Sequence, residues 1–128
     1  MNKSGIAAFG LLALTSLFTT AAMAEVKKVD FKSCTKDGQT VVFHQNVDES
    51  LMNDDTAAAM QSAADKTARE RTSDEIGDSM GTSISFFINY IAAVQAAQQD
   101  GKKPNLTALS GADYPTVEGP GCSITPAP

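Results

Sequence analysis

The only histidine of the chain, His44, is the first residue to consider for acid–base chemistry, because histidine is the residue type that changes charge near neutral pH. If its strand pairs with the segment that precedes it, His44 lies opposite Asp30. A histidine beside a carboxylate is a common general base. The same pair is also an ordinary cross-strand contact on a solvated sheet face. We expect the second role, and catalysis by His44 with Asp30 is the alternative.

Ser79 is a weaker catalytic candidate. It is the central residue of GDSMG, residues 77–81, which satisfies the G-x-S-x-G pattern of serine hydrolases. In those enzymes the serine stands on a turn between a strand and a helix above a large sheet, whereas here a charged, helix-capping segment precedes it. The single histidine also comes before the serine in the chain, the reverse of the order in that fold. We therefore expect Ser79 to be an ordinary helix residue.

The sequence does not indicate metal, cofactor or nucleic-acid chemistry. One histidine, with no cysteine in a C-x-x-C pair, supplies too few ligands for most transition-metal sites. The acidic residues at 48–55 lack the spacing of a calcium-binding loop, and no phosphate-binding glycine loop is present in the sequence. The net charge of −5 argues against a nucleic-acid partner, which requires clustered lysine and arginine. We predict no metal, no cofactor and no nucleic acid.

Residues 1–24 have the order of a cleaved secretory signal: a basic start at Lys3, an uncharged apolar stretch and an Ala-Met-Ala end. The apolar stretch is shorter than the roughly 20 residues that cross a bilayer, so we expect cleavage and no stable membrane insertion. Export to a periplasm or to the extracellular space would place Cys34 and Cys122 in an oxidising compartment, which predicts a disulfide between them. Without Lys3 the net charge becomes −6, which favours solubility and, at long range, basic partners.

Residues 26–47 predict a β-hairpin, because apolar and polar side chains alternate on both sides of the turn sequence TKDGQ. A two-residue loop would mix polar with apolar side chains on both faces of the hairpin. A three-residue loop with Gly38 in the left-handed conformation instead pairs Phe31 with Phe43. Burial of the apolar face favours this second register.

Two antiparallel helices are predicted after the hairpin. The first, residues 53–71, begins with an asparagine cap and two aspartates and has lysine and arginine in its last turn, as the helix dipole favours. The second begins at the capping box TSDE, residues 72–75, and ends at Gly101 and Pro104. Because the connecting sequence RERTSDE contains neither glycine nor proline, one continuous helix over residues 53–100 is the alternative.

The second helix is apolar around most of its circumference, which is typical of a central, buried helix. One stripe carries bulky side chains, another carries small ones, and Phe86 and Tyr90 lie at the edge of the bulky stripe. The bulky stripe consists of Ile76, Met80, Ile84, Phe87, Ile91 and Val94. We expect this stripe to cover the hairpin and the small stripe to contact the first helix. Phe86 and Tyr90 are then the residues available to a partner.

These elements predict an α+β protein, in which residues 25–104 form an N-terminal β-hairpin packed on two antiparallel α-helices. Residues 105–128, rich in Gly and Pro, are expected to form an irregular tail that the disulfide pins to the hairpin. The second helix is more apolar than this small fold requires. We therefore expect a non-enzymatic binding or accessory protein, with chaperone-like use of that surface, that acts on another exported protein. A small exported enzyme that uses His44 with Asp30, and a self-associating structural component, are the alternatives.

Overall fold

The computed structural model describes residues 26–122. The predicted signal peptide, residues 1–24, lies outside this range, so its cleavage stays a prediction. The elements follow in this order along the chain: β1 (Val26–Cys34), β2 (Gln39–Asp48), a 3-10 turn (Glu49–Leu51), α1 (Asp54–Arg69), α2 (Ser73–Ile76), α3 (Ser79–Gln99), a second 3-10 turn (Leu106–Ala108), β3 (Leu109–Ala112) and β4 (Thr116–Pro120).

The hairpin of β1 and β2 has the predicted register. Phe31 lies opposite Phe43, and Asp30 lies opposite His44. Gly38 has a φ of 80°, the left-handed conformation that the last position of a three-residue loop requires and that glycine adopts without strain. Both phenylalanines are buried on the same sheet face. A shift of one residue would place the two phenylalanines on opposite faces and expose one of them, so their joint burial holds the register.

The tail is more regular than predicted, because β3 and β4 both join the sheet. They pair antiparallel with β2, one after the other, along the edge that β1 leaves free. A central strand must satisfy the N–H and C=O groups on both of its sides, and the tail supplies the second side. The predicted disulfide between Cys34 and Cys122 is present, with Cα atoms 5.9 Å apart. It joins the end of β1 to the residue that follows the last strand by two positions.

The two long helices are antiparallel and lie on one face of the sheet. Thr67, near the end of α1, accepts a hydrogen bond from the Asn89 amide at 2.9 Å, while Asn53 at the start of α1 donates to the carbonyl of Lys103 at 3.0 Å. The predicted asparagine cap is present, because the side chain of Asn53 accepts from the backbone N–H of Thr56. The shared core of the helices and the sheet contains the four alanines of α1 at positions 59, 63, 64 and 68.

The second helix is divided in two, a detail that the sequence did not predict. The capping box at Thr72 and Glu75 is formed in full, but α2 ends after four residues. Asp78 then begins α3 by accepting a hydrogen bond from the N–H of Gly81 at 3.3 Å. Glycine and aspartate are weak helix formers, and an aspartate carboxylate competes for backbone N–H groups. The alternative of one continuous helix is wrong, since Thr72 has an extended backbone.

The side of α3 that faces the core differs from the predicted side. Its buried residues are Thr82, Phe86, Tyr90 and Val94, one every four residues. The Phe86 ring lies 5.5 Å from the ring of Phe43, centroid to centroid. Thr82 can occupy a buried position because its hydroxyl donates to the carbonyl of Ile76 at 3.2 Å. In a sequence pattern threonine counts as polar, so the side of the helix that contains Thr82 was not predicted to be the buried side.

Candidate functional site

Asp30 and His44 are brought together, as the hairpin register requires. Nδ1 of His44 lies 2.7 Å from Oδ1 of Asp30, and Nε2 lies 2.8 Å from Oγ1 of Thr116 on β4. A carboxylate, an imidazole and a hydroxyl in this order is the arrangement of a hydrolase triad. Sequence reasoning missed Thr116 because it lies in the tail, which was predicted to be irregular.

The surroundings of this imidazole are those of a solvated sheet face. On the same face Lys28 pairs with Asp113 at 2.5 Å, and Lys32 pairs with Glu118 at 3.5 Å. The hydrogen bond from Lys28 holds the pKa of the Asp113 carboxyl below its ordinary value. The side chain of Asp30 is 56% exposed, so water weakens its effect on the imidazole. This row of paired charges fits the structural cross-strand role that we expect for His44.

Ser79 is not placed with the other two catalytic candidates. It is the first residue of α3, and the short helix α2 precedes it where a serine hydrolase would have a strand. Both ring nitrogens of His44 have other partners, Asp30 and Thr116. Ser79 instead lines a shallow depression with Met80 and other residues. Neither ring nitrogen of His44 is hydrogen-bonded to Ser79, so the structure does not join this serine to the pair of Asp30 and His44.

α3 carries an exposed apolar stripe, which we define as Met80, Ile84, Phe87 and Ile88. These side chains are 74%, 55%, 48% and 58% exposed, respectively. No Asp, Glu, Lys or Arg occurs between Ser79 and Gln99, so no charge interrupts the stripe. Contiguous exposed apolar side chains of this kind mark sites of interaction with other molecules.

The apolar stripe corrects the predicted partner contacts. Phe86 and Tyr90, which we expected to face a partner, are 1% and 0% exposed and belong to the core. The Tyr90 hydroxyl donates to the carbonyl of Asn105 at 2.8 Å, which allows this polar group to be buried. The neighbouring residue Phe87 has the exposure that was expected of Phe86. The sequence feature that indicated the buried face, and that was missed, is the four-residue spacing from Thr82 to Val94.

A groove of about 330 Å³ separates α3 from β3. Ile84 and Phe87 of the apolar stripe line one side of it, all four residues of β3 line the other, and Gln45 of β2 also contributes. The side chain of Gln45 is 2% exposed, and its Oε1 has no hydrogen-bond partner among residues 26–122. A buried, unpaired carbonyl destabilises a protein by about 1–3 kcal/mol, so this group needs an explanation.

Metal-ligand clusters and membrane-spanning helices were both sought in the described part of the chain. Between Val26 and Cys122, no three residues among His, Cys, Asp and Glu are grouped so that they could hold a metal ion. Over the same residues, no helix has both the length and the apolar character needed to cross a membrane.

Comparison of the chain with protein-family models, with curated proteins and with solved structures found no significant match.

Proposed function

We propose that this chain is a non-enzymatic binding protein, an accessory to another exported protein, which it engages through the apolar stripe of α3. The observation that carries the proposal is the exposure of four bulky side chains on a helix without a charged residue. The Cys34–Cys122 disulfide is consistent with an exported protein, because such bonds persist in oxidising compartments.

The apolar stripe offers enough surface to contribute to binding. Full burial of a large apolar side chain is worth about 1.5–3 kcal/mol. Because each of these side chains is about half exposed or more, a partner that covered all four would gain roughly 4–6 kcal/mol before the entropic cost of association. That gain alone supports weak binding, and further contacts at the rim would be needed for tight binding.

The stripe is also held in place before binding. The opposite side of α3 is buried in the core at Phe86 and Tyr90, and two polar side chains beside them, Ser85 and Asn89, are hydrogen-bonded to the end of α1 and to the segment that follows it. Arg71 donates to the hydroxyl of Ser85 at 2.6 Å, and Asn89 donates to Thr67 at 2.9 Å. A surface on a fixed helix loses little conformational entropy when a partner covers it.

The test is partner capture with a variant that introduces a charge at one stripe residue. Ile88→Asp should abolish recovery of cross-linked partners from the native compartment, because a carboxylate at the centre of an apolar contact would lose its water. Ala96→Asp is the matched control, since Ala96 is an exposed residue on another side of the same helix. Circular dichroism should show that both variants are folded. Recovery of the same partners with Ile88→Asp as with the unmodified protein would refute the proposal.

Light scattering distinguishes self-association from engagement of another protein. The protein should be monomeric at micromolar concentration if the stripe is reserved for a different partner. A dimer that dissociates in the Ile88→Asp variant would replace the proposal by the self-associating alternative.

The hydrogen-bonded chain of Asp30, His44 and Thr116 favours hydrolysis as a second candidate function. In this role His44 would accept the proton of the Thr116 hydroxyl while Asp30 orients the imidazole. We rank it second because the carboxylate is more than half exposed. A hydrolase screen of the purified protein tests it: an activity lost in a folded His44→Ala variant supports this candidate, and the absence of any activity removes it.

A further inference from the structure

Charged residues and prolines protect the sheet edges at β1 and β4 against strand addition, whereas at β3 only a register shift against β2, between Asn46 and Val47, interrupts the edge. β1 carries three lysines, and the segment from Pro115 to Pro120 holds two prolines and Glu118. Lysine and proline on edge strands are the devices that prevent pairing with another chain. β3, with the sequence Leu-Ser-Gly-Ala, has neither a charge nor a proline. A strand from another chain would therefore pair more readily with β3 than with the other edges.

The backbone of β3 has hydrogen-bonding groups directed away from β2. The N–H of Asp113 donates to the carbonyl of His44 at 2.9 Å, and Ala112 lies opposite Gln45. Because antiparallel pairing alternates along a strand, the N–H and C=O of Ala112 point to the outer side. In the described part of the chain no strand pairs with that side.

α3 extends over the position that an added strand would occupy. Ile84 and Phe87 line the groove beside β3 yet remain 55% and 48% exposed. Leu109, the first residue of β3, is only partly buried against the core. Side chains of an added strand that faced the helix would cover all three. The groove volume, about 330 Å³, lies within the range of sites that hold ligand groups.

Gln45 supplies the polar part of this site. Its buried Oε1 has no partner among the described residues, and the residue lines the groove. The backbone N–H groups of a strand beside β3 lie in the plane of the sheet, whereas Gln45 of β2 faces the helices, so the donor to Gln45 must be a polar side chain of the segment on its helix-facing side. Such a donor would satisfy the amide, whereas a purely apolar ligand would leave it unpaired.

We propose that the groove between α3 and β3 binds an extended segment of the partner protein by strand addition to β3. The segment carries apolar side chains at alternate positions, which fill the groove against Ile84 and Phe87, and one polar side chain on the same side, which donates to Gln45. Its central residues are uncharged, because α3 and β3 have no charge with which to pair. The net negative charge of the chain favours basic residues at the ends of the segment. This inference rests on the proposed function and specifies the partner's conformation.

A displayed library of random ten-residue peptides, selected on the mature protein, tests the inference. Selected peptides should alternate apolar with polar residues, and the best one should slow hydrogen exchange of the Ala112 amide at least tenfold. N-methylation of the peptide amides on its pairing side should weaken its binding at least tenfold. Selection of helical or proline-rich sequences, or of no peptide that protects Ala112, would overturn the inference.

Two variants of β3 complete the experiment. Ala112→Pro removes the outward N–H, and Ala112→Glu places a charge at an exposed residue that lines the groove. Each should reduce affinity for the selected peptide at least tenfold. The matched control is Thr107→Glu, which adds the same charge at an exposed position outside the groove.

The same variants separate failure of this inference from failure of the proposed function. If folded Ala112→Glu captures the partner normally and Ile88→Asp does not, strand addition is wrong and the apolar stripe still binds. If both variants capture the partner normally, the proposed function is wrong as well.

Discussion

Truncation of the two adjacent phenylalanines of α3 should lower the stability of the protein by very different amounts. Phe86 is 1% exposed and contacts the ring of Phe43, whereas Phe87 is 48% exposed on the apolar stripe. The two substitutions Phe86→Ala and Phe87→Ala remove the same atoms from neighbouring positions of one helix. They therefore differ only in what surrounds the side chain.

The expected magnitudes follow from that difference in burial. Truncation of a fully buried phenylalanine leaves a cavity and lowers the free energy of unfolding by about 3–5 kcal/mol. About half of the Phe87 side chain is already in water, and its removal leaves no enclosed cavity. Phe87→Ala should therefore lower the free energy of unfolding by only about 1 kcal/mol. The difference of at least about 2 kcal/mol is large beside a total stability of about 5–15 kcal/mol.

Urea denaturation of the oxidised protein, followed by circular dichroism, measures both values. Small proteins lose about 1–3 kcal/mol of stability per molar urea, so the two midpoints should differ by about 1 M or more. Phe86→Leu is the control if Phe86→Ala does not fold, because it removes fewer atoms, leaves a smaller cavity and should therefore lose less stability than Phe86→Ala. Equal losses for the two alanine variants would refute the orientation of α3. A large loss for Phe87→Ala that varies with protein concentration would instead show that a second copy covers the stripe.

Three further predictions concern stability. Hydrogen bonds from the hydroxyls of Thr35 and Ser73 lower the pKa of the Asp37 carboxyl below its ordinary value of 3.8. The stability that this group contributes should therefore be fully present above pH 3.8 and be lost as the pH falls through the lowered pKa. In thermal melts recorded against pH, Asp37→Asn should reduce this acid loss. Burial raises the pKa of Tyr90 from 10.0 to about 12, so stability should be lost as the pH rises from 10 towards 12. Tyr90→Phe should remove this alkaline loss. The same variant should lower stability at neutral pH by about 1 kcal/mol, because it removes the hydrogen bond to the Asn105 carbonyl. The disulfide links residues 88 apart, so its reduction should lower the free energy of unfolding by up to about 4–5 kcal/mol. Urea melts with and without a thiol reductant measure this difference. An unchanged midpoint would contradict the assigned bond.

The hairpin and the helix caps could be predicted because their determinants lie close together in the chain. The alternation around Gly38 allowed one register that buries Phe31 with Phe43, and that register placed Asp30 beside His44. The capping box at residues 72–75 likewise depends on side chains three residues apart. The disulfide was predicted on different grounds, from an even number of cysteines and an expected oxidising compartment.

The candidate site could not be predicted in the same way. β3 and β4 have little strand signal of their own, and they are strands because the free side of β2 requires partners. The groove between α3 and β3, and the unpaired amide of Gln45 within it, exist only once that pairing is formed. The hydroxyl of Thr116 reaches His44 for the same reason.

The sequence by itself determined the hairpin and its register, the start of α1, the end of α3 and the pairing of the two cysteines. Only the tertiary structure decided which face of α3 is buried. By composition, either of two faces of this long apolar helix could be buried. Because it contains Thr82, the face that is buried in the structure is the more polar of the two in sequence. Its hydroxyl becomes compatible with burial when the turn at Gly77 brings the carbonyl of Ile76 within hydrogen-bonding distance. That contact turns Phe86 inward and leaves Phe87 exposed on the apolar stripe.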